Sequence, residues 1–446
     1  MKTGHSIFGN ALPRLAKIAR TQARKALQGA HKALGPALRS RRRILVALIT
    51  GTKGKTTTTR MLAHILGQAG HVVGFTTTDG IVIGGKTVGK GDSTGYAHAA
   101  RVLKDRSISA AVLETARGDL LRKGLYVARC DVAALLNVGR EQIGIDGIET
   151  LEEMARLKRK VIDAARDTVV LNADDPLCRD LIGDFPAART AVFSLEPGAS
   201  VAKQHVANGG VAFCLDESGE PRIVRIAGAS SRTVVAIADL PAALGGALRH
   251  NIANAMAAAA LAEGMGVPPI AVGAALASFR LSVEHLPGRF NILSEHPYRV
   301  IVDHAINPPA VEALVASLRN VEVPGRRLCA ITSFGNRAGW HFTEIGQFLA
   351  QGFDHFVCYE TKRFRRGRAP GEVPALLRSG LLEAGVGAQC IDVATGRDDT
   401  IRRLTERARP GDLIVILGSF RPDEVLRMRA LVAGDQSFLS ATVSTA

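Results

Sequence analysis

Aromatic residues are scarce in this 446-residue chain, at 4%, with one tryptophan and four tyrosines. That scarcity argues against a surface built to stack bases, and no nucleic-acid reader module is recognisable. The six cysteines (130, 178, 214, 329, 358 and 390) form no C-x-x-C pair and mostly have apolar neighbours. They predict reduced, mostly buried thiols in a cytoplasmic protein, with neither a disulfide frame nor a zinc site. No run is long and apolar enough to span a bilayer, and no signal-peptide core stands at the start. Acidic residues are missing altogether from residues 1–43, which hold eleven Lys and Arg. The formal net charge of +16 is therefore concentrated there, and the remainder of the chain carries only +5 of it.

Within 1–43, Leu12, Leu15, Ala19, Ala23, Ala26, Ala30, Ala33 and Leu34 recur at spacings of three and four. The pattern predicts a basic amphipathic arm. Such an arm suits peripheral contact with an anionic membrane, docking on an acidic partner, attraction of an anionic substrate, or a transit peptide; it also suits a plain solvated extension.

What is abundant begins at Ile44. ILVALIT is apolar without alternation, as a strand buried on both faces reads. Gly51-Thr52-Lys53-Gly54-Lys55-Thr56-Thr57 follows, and then Met61, Leu62, Ile65, Leu66 and Ala69 recur at helical spacing. Strand, glycine loop, Lys-Thr and helix in succession predict a P-loop. The glycines let backbone N–H groups approach phosphate oxygens, and the helix N-terminus adds partial positive charge. Lys55 can reach the terminal phosphates, and the Thr56 hydroxyl can ligate Mg²⁺. The usual first glycine of that loop is Ile49 here.

Strand-like and helical segments then alternate, which predicts a mainly parallel sheet with helices on both faces. Strands are expected at 72–78, 108–114, 132–138 and 168–172, with helices at 150–165 and 251–264. Residues 186–240 break the rhythm and read as a β-rich insertion or edge. Leu286-Pro287-Gly288-Arg289 reads as a boundary, and beyond it strands are expected at 299–305, 327–333, 355–360, 389–393 and 412–419. The expected organisation is an arm (1–43), a P-loop central domain (44–285) and a smaller Rossmann-like α/β C-terminal domain (286–446). In such sheets ligands sit at the carboxyl ends of strands. Thr50–Thr56, Glu114, Asn137 and Asp303 all stand there. Glu114 is the candidate second-strand acid for Mg²⁺. Lys158, between Arg156 and the pair Arg159-Lys160, reads by spacing as part of a solvated basic face.

GTKGKTTT, LETARGDLLRKGL (113–125), LLNV (135–138), LNADDP (171–176), HNIANA (250–255), LPGRFN (286–291) and VDHAINP (302–308) occur in one order. Together they resemble the Mur ligase family of ATP-dependent amide ligases over about residues 44–420. TTTDG (76–80), GDSTG (91–95), LETARG (113–118) and RGRAPGE (366–372) are similar to the C-terminal ligase half of cyanophycin synthetase. The resemblance implies an ADP-forming ligase that joins an amino acid to a carboxylate of a peptide-like or polymeric acceptor through an acyl phosphate. It implies ATP and Mg²⁺, with Lys55, Glu114 and Lys158 catalytic. Thr56, Glu114, Gln142 and a carbamylated Lys158 would hold up to two ions. Asn172, Asn251, Arg289 and Asp303 would lie around the nucleotide. A separate ATP-grasp-type partner and a homo-oligomer are further expectations. Alternatives are a poly-γ-glutamate-type ligase at a membrane and a non-catalytic ATP-binding subunit of a partner ligase. Three positions depart from the family pattern: Lys53 replaces Asn, Glu141-Gln142 replaces Asp-His, and His304 and Ile306 replace Tyr and His.

Overall fold

A computed structural model describes residues 44–433 apart from 142, 197, 295–296 and 320. The basic arm and Gln142 lie outside the described residues. Two sheets organise the rest. The first runs through β1 (Leu45–Thr50), β2 (Val73–Thr77), β3 (Gly80–Ile83), β4 (Lys86–Lys90), β5 (Ala110–Glu114), β6 (Cys130–Leu135), β7 (Ala165–Asn172), β8 (Thr190–Ser194), β9 (Val211–Asp216), β10 (Arg222–Ala227) and β11 (Ser230–Ala236). Their spatial order is β11-β10-β9-β8-β7-β6-β1-β5-β2-β3-β4. The seven strands from β9 to β2 run parallel, and an antiparallel ribbon is added at each end. The apolar LVALIT run is buried between β5 and β6, where a strand needs apolar side chains on both faces.

Residues 186–240 are therefore an edge of this sheet rather than an inserted unit. β8 and β9 continue the parallel array, and β10 and β11 close it as a hairpin. The ribbon β3–β4, not anticipated from the sequence, forms the other edge. Its short strands are GIVI, which begins at Gly80, and KTVGK, and they flank the left-handed pair Gly84-Gly85. Both end ribbons have a register shift, between Ile81 and Val82 in one and between Ile223 and Val224 in the other.

Helices cover both faces of the sheet. α1 (Lys55–Gln68) buries Met61, Leu62, Ile65 and Leu66 on one side. α2 (Leu151–Ile162) lies on the other. It opens with a reciprocal cap, in which the Thr150 hydroxyl accepts from Glu153 N–H and Glu153 accepts from Thr150 N–H, both at 3.2 Å. α3 (Arg249–Gly264) is alanine-rich and buried almost all round, which lets it nest between α1 and the sheet.

The second sheet comprises β12 (Asn291–Ser294), β13 (Arg299–Asp303), β14 (Arg327–Ile331), β15 (His355–Tyr359), β16 (Ile391–Ala394) and β17 (Leu413–Leu417). Its order is β12-β13-β17-β14-β15-β16, parallel except for β12. Cores form on both of its faces. Among the described residues, no helix is long and apolar enough to cross a membrane.

Candidate functional site

β1 ends at the middle of the first sheet, so the glycine loop emerges between two neighbouring strand ends. Asn137, just past β6, holds it. The Asn137 side-chain oxygen accepts from Thr52 N–H at 3.0 Å and Lys53 N–H at 2.8 Å, and its amide donates to Lys53 O at 3.3 Å. Gly139 N–H donates to the Thr52 hydroxyl at 2.8 Å. Gly54 caps α1 at φ 82, where a β-carbon would collide with the Asn254 side-chain oxygen. A Cβ on Gly51 would lie 2.9 Å from Leu136 Cβ. Both glycines are demanded by close approach as well as by conformation.

The Lys55 ammonium folds back over this loop, donating to Gly51 O at 2.9 Å and Thr52 O at 3.0 Å. Thr56 donates to Glu114 Oε2 at 2.8 Å, and its hydroxyl lies 3.1 Å from that of Thr78. Thr57 follows, buried, in the first turn. Glu114 ends β5 and is 2% exposed. Burial pushes its carboxyl up to about 7, against the opposing pull of the Lys55 charge and the Thr56 hydroxyl. Its other oxygen, Oε1, is buried and has no hydrogen-bond partner among the described residues. An orphaned carboxylate oxygen beside a threonine hydroxyl at a helix start fits a hard divalent cation. Among the described residues, no three His, Cys, Asp or Glu side chains gather into a metal cage. A cation here would thus draw most of its ligands from phosphate and water, as Mg²⁺ commonly does.

Lys158 is not on a solvated face. Met154, Leu157, Lys158 and Val161 fall on the buried side of α2, and Lys158 is 3% exposed. Burial, helped by the Lys55 charge, lowers its ammonium to about 7 against the pull of Glu141. Lys53 is lowered to about 8 by burial, opposed by Glu141 and Glu312. Glu141 itself spans the two lobes. It accepts from Asn307 at 3.3 Å and from Arg337 at 3.4 Å, both beyond the boundary. Its carboxylate is thus engaged across the cleft.

The remaining predicted residues divide. The Asn172 amide donates to Leu136 O and its oxygen accepts from Asp174 N–H, both at 2.9 Å, so it shapes the turn after β7. Asn251 is one step back from the loop; it donates to Ala242 O and receives from Asn254. Asn254 is the residue that meets the loop, accepting from Thr58 at 3.3 Å. Sequence reasoning passed over it, although it lies in the same HNIANA motif and one helical turn from Asn251. Arg289 and Asp303 stand together at the joint between the lobes. Burial raises Asp303 to about 6, opposed first by Arg289. Asp303 accepts from Phe290 N–H at 2.8 Å and Ala305 N–H at 2.9 Å, and Phe290 is held at φ 51. Another unanticipated element is the buried Arg60–Asp79 ion pair at 3.3 Å, which ties α1 to the TTTDG turn.

The arrangement can be compared with known proteins. The cyanophycin synthetase of Synechocystis sp. is 37% identical over 84% of this chain, which spans 42% of that protein. The chain thus spans about half the length of the cyanophycin synthetases it matches, 42% and 43% of two of them being aligned. A folylpolyglutamate synthase from Mycobacterium tuberculosis, solved with ADP and AMPPCP, superposes with a TM-score of 0.61 at 18% identity, covering 92% of this chain and 95% of that one. The MurF ligase of Thermotoga maritima in complex with ADP gives a TM-score of 0.57 at 20% identity over 97% and 88% of the two chains. Both share the α/β fold. Sequence models of two domains match in succession, the Mur ligase middle domain over residues 49–262 and the Mur ligase glutamate ligase domain over 288–420; this chain belongs to the Mur ligase family.

Proposed function

We propose that the chain is an ATP-dependent, ADP-forming amide ligase that joins an amino acid to a carboxylate on a peptide-like or polymeric acceptor. The observation that carries this reading is the Lys55–Thr56–Glu114 group with its unpartnered Glu114 Oε1. The cyanophycin synthetase likeness supplies the substrate class. The loop N–H groups and Lys55 bind and orient the triphosphate, and Arg289 adds positive charge from the joint. The acceptor carboxylate attacks the γ-phosphorus; one P–O bond forms, the bond to ADP breaks, and an acyl phosphate results. The amine lone pair then attacks the acyl carbon, phosphate leaves with the C–O bonding pair, and the amine proton passes to solvent or phosphate. Thr56 and Glu114 would hold Mg²⁺, which when bound neutralises charge on the transferring phosphoryl group. Glu141, bridging to Asn307 and Arg337, keeps the lobes together and water out of the cleft. Lys158 is the residue for carbamylation in this reading: its neutral amine adds CO₂, releasing one proton and leaving a carbamate beside Lys55.

The test is phosphate release from ATP and Mg²⁺ by the purified protein across a panel of amino acids and acidic acceptors, with product mass read in parallel. Release that depends on both substrates, with a mass gain of one amino-acid residue and loss in Lys55→Ala, is the expected result. Nucleotide binding with no release under any pairing would overturn the reading.

A further inference from the structure

Arg117 stands three residues past Glu114 and opens the short helix Arg117–Lys123. It is 5% exposed, yet no step of the reaction above uses it. Its base is rigid. Thr115 N–H donates to Ile49 O at 2.8 Å, and Thr115 O accepts from the Thr50 hydroxyl at 2.9 Å, so the end of β5 is stitched to the end of β1. From this base the guanidinium reaches the connection between β6 and α2. One of its terminal nitrogens donates to Asp146 Oδ2 at 3.0 Å and the other to Ile145 O. Its Nε is buried and has no partner among the described residues.

What Arg117 grips is a two-residue hairpin. Ile145 and Ile148 form an antiparallel bridge, and Asp146 and Gly147 between them are both left-handed, at φ 49 and 75. Gly144 N–H donates to Ile148 O at 2.7 Å. Ile148 is buried, but Gly144, Asp146 and Gly147 are exposed and Ile145 is half-buried, so packing alone holds the hairpin weakly. Asn or Gly at position 146 would suit such a turn as well as Asp does. Only the ion pair with Arg117 uses the carboxylate. The hairpin is continuous with the turn that carries Glu141. Ile143 N–H donates to Arg140 O at 3.2 Å and closes that turn, and Gly139, just before it, is bonded to the glycine loop through Thr52 at 2.8 Å. Glu141 then meets Asn307 and Arg337 of the other lobe.

We infer that Arg117 is a positioning residue for lobe closure. Through the hairpin it holds Glu141 where the second lobe meets it, and so ties that contact to the strand end that carries Glu114. The inference rests on the ligase reading above. A planar guanidinium fork engages a carboxylate and a carbonyl at once in fixed directions, which an ammonium on a flexible stem does not. Without the fork the hairpin keeps its turn but loses its anchorage, and Glu141 is no longer held within reach of Asn307 and Arg337.

Kinetics and small-angle scattering on the full chain test this. Arg117→Ala should lower kcat at least tenfold with the KM for ATP nearly unchanged, since the glycine loop itself is untouched. With a non-hydrolysable ATP analogue it should show the same enlarged radius of gyration as Glu141→Ala. The double variant should be no slower than the slower single one, because both substitutions remove one contact. Arg117→Lys should recover only a small part of the rate. Asp146 is half exposed, so Asp146→Asn keeps the turn and the fold even if Arg117→Ala does not fold. It should lower kcat at least threefold alone and not at all in the Glu141→Ala background. Wild-type kcat in Asp146→Asn, or a double variant whose loss is the product of the two single losses, would overturn the inference. If no substrate pairing turns over, the ligase reading fails, and scattering decides the positioning role separately. Compaction by the ATP analogue in the wild type that is lost in Asp146→Asn and Arg117→Ala would sustain it. Equal compaction in all three would refute it.

Discussion

Glu114→Gln should make the ligand-free protein more stable at neutral and alkaline pH while abolishing phosphate transfer. Burial pushes the folded-state carboxyl up to about 7 from its ordinary 4.5. Below pH 4.5 the group is protonated in both states and contributes no penalty. Between 4.5 and 7 the folded state binds more protons than the unfolded one, so stability falls as pH rises. Above 7 the full penalty is present. At about 1.4 kcal/mol per pKa unit it amounts to roughly 3 kcal/mol. Glutamine keeps an oxygen to accept the Thr56 hydroxyl and removes the charge. Its amide takes the place of the unpartnered Oε1, which returns about 1 kcal/mol of desolvation. The expected net gain is about 2 kcal/mol at pH 8 and none at pH 4. Urea denaturation of both proteins in EDTA, at the two pH values, measures it. Circular dichroism follows the whole chain, while Trp340 reports the lobe that should not respond. A glutamine variant that is less stable than wild type at pH 8, or that gains equally at both pH values, would refute the argument.

Lys55→Ala should remove phosphate release while leaving the unfolding midpoint within about 0.5 kcal/mol, because its partners Gly51 O and Thr52 O border the cleft rather than the core. Gly54→Ala should cost about 2–4 kcal/mol, combining left-handed strain with overlap against Asn254, and nucleotide titration should show weakened binding. Arg60→Ala strands Asp79 in a buried site and should cost about 3–5 kcal/mol in chemical denaturation, part of which Asp79→Asn in the same chain should restore. Glu141→Ala cuts two links between the lobes; small-angle scattering with a non-hydrolysable ATP analogue should show a larger radius of gyration and kinetics a lower kcat, with denaturation midpoints unchanged.

The alternation of strands and helices was readable because buried parallel strands leave unbroken apolar runs, and all nine expected strands outside 186–240 are present after Leu45. The ribbon β3–β4 was not, because KTVGK is half exposed and owes its pairing to β2 and to glycine turns rather than to hydrophobicity. Lys55, Thr56 and Glu114 could be placed from sequence since a loop between strand and helix fixes its own geometry. Lys158 was misplaced by its basic neighbours. Counting from Met154 through Leu157 to Val161 puts it on the buried face, and the resemblance rather than the periodicity singled it out. The link from Glu141 to Asn307 and Arg337 was illegible, since nothing local to residue 141 specifies contacts more than 160 positions away. The ion pairs of Arg365 with Glu360 and of Arg368 with Glu372 were not legible either, since a run of like charges does not say which of its members fold back onto a nearby carboxylate.

A sheet of eleven strands that does not close on itself ends, among the described residues, in two edge strands, and the edge of a sheet is a template for a further strand. Width alone would make this molecule prone to polymerise edge to edge. At one end β4 offers the exposed Lys86 and Lys90, so two such edges brought together would repel. At each end the register shift twists the last ribbon away from the flat alignment that cross-strand stacking requires. The glycine loop occupies the most rigid position the sheet has, with strands on both sides, and the irregular rims keep that breadth from becoming an aggregation surface.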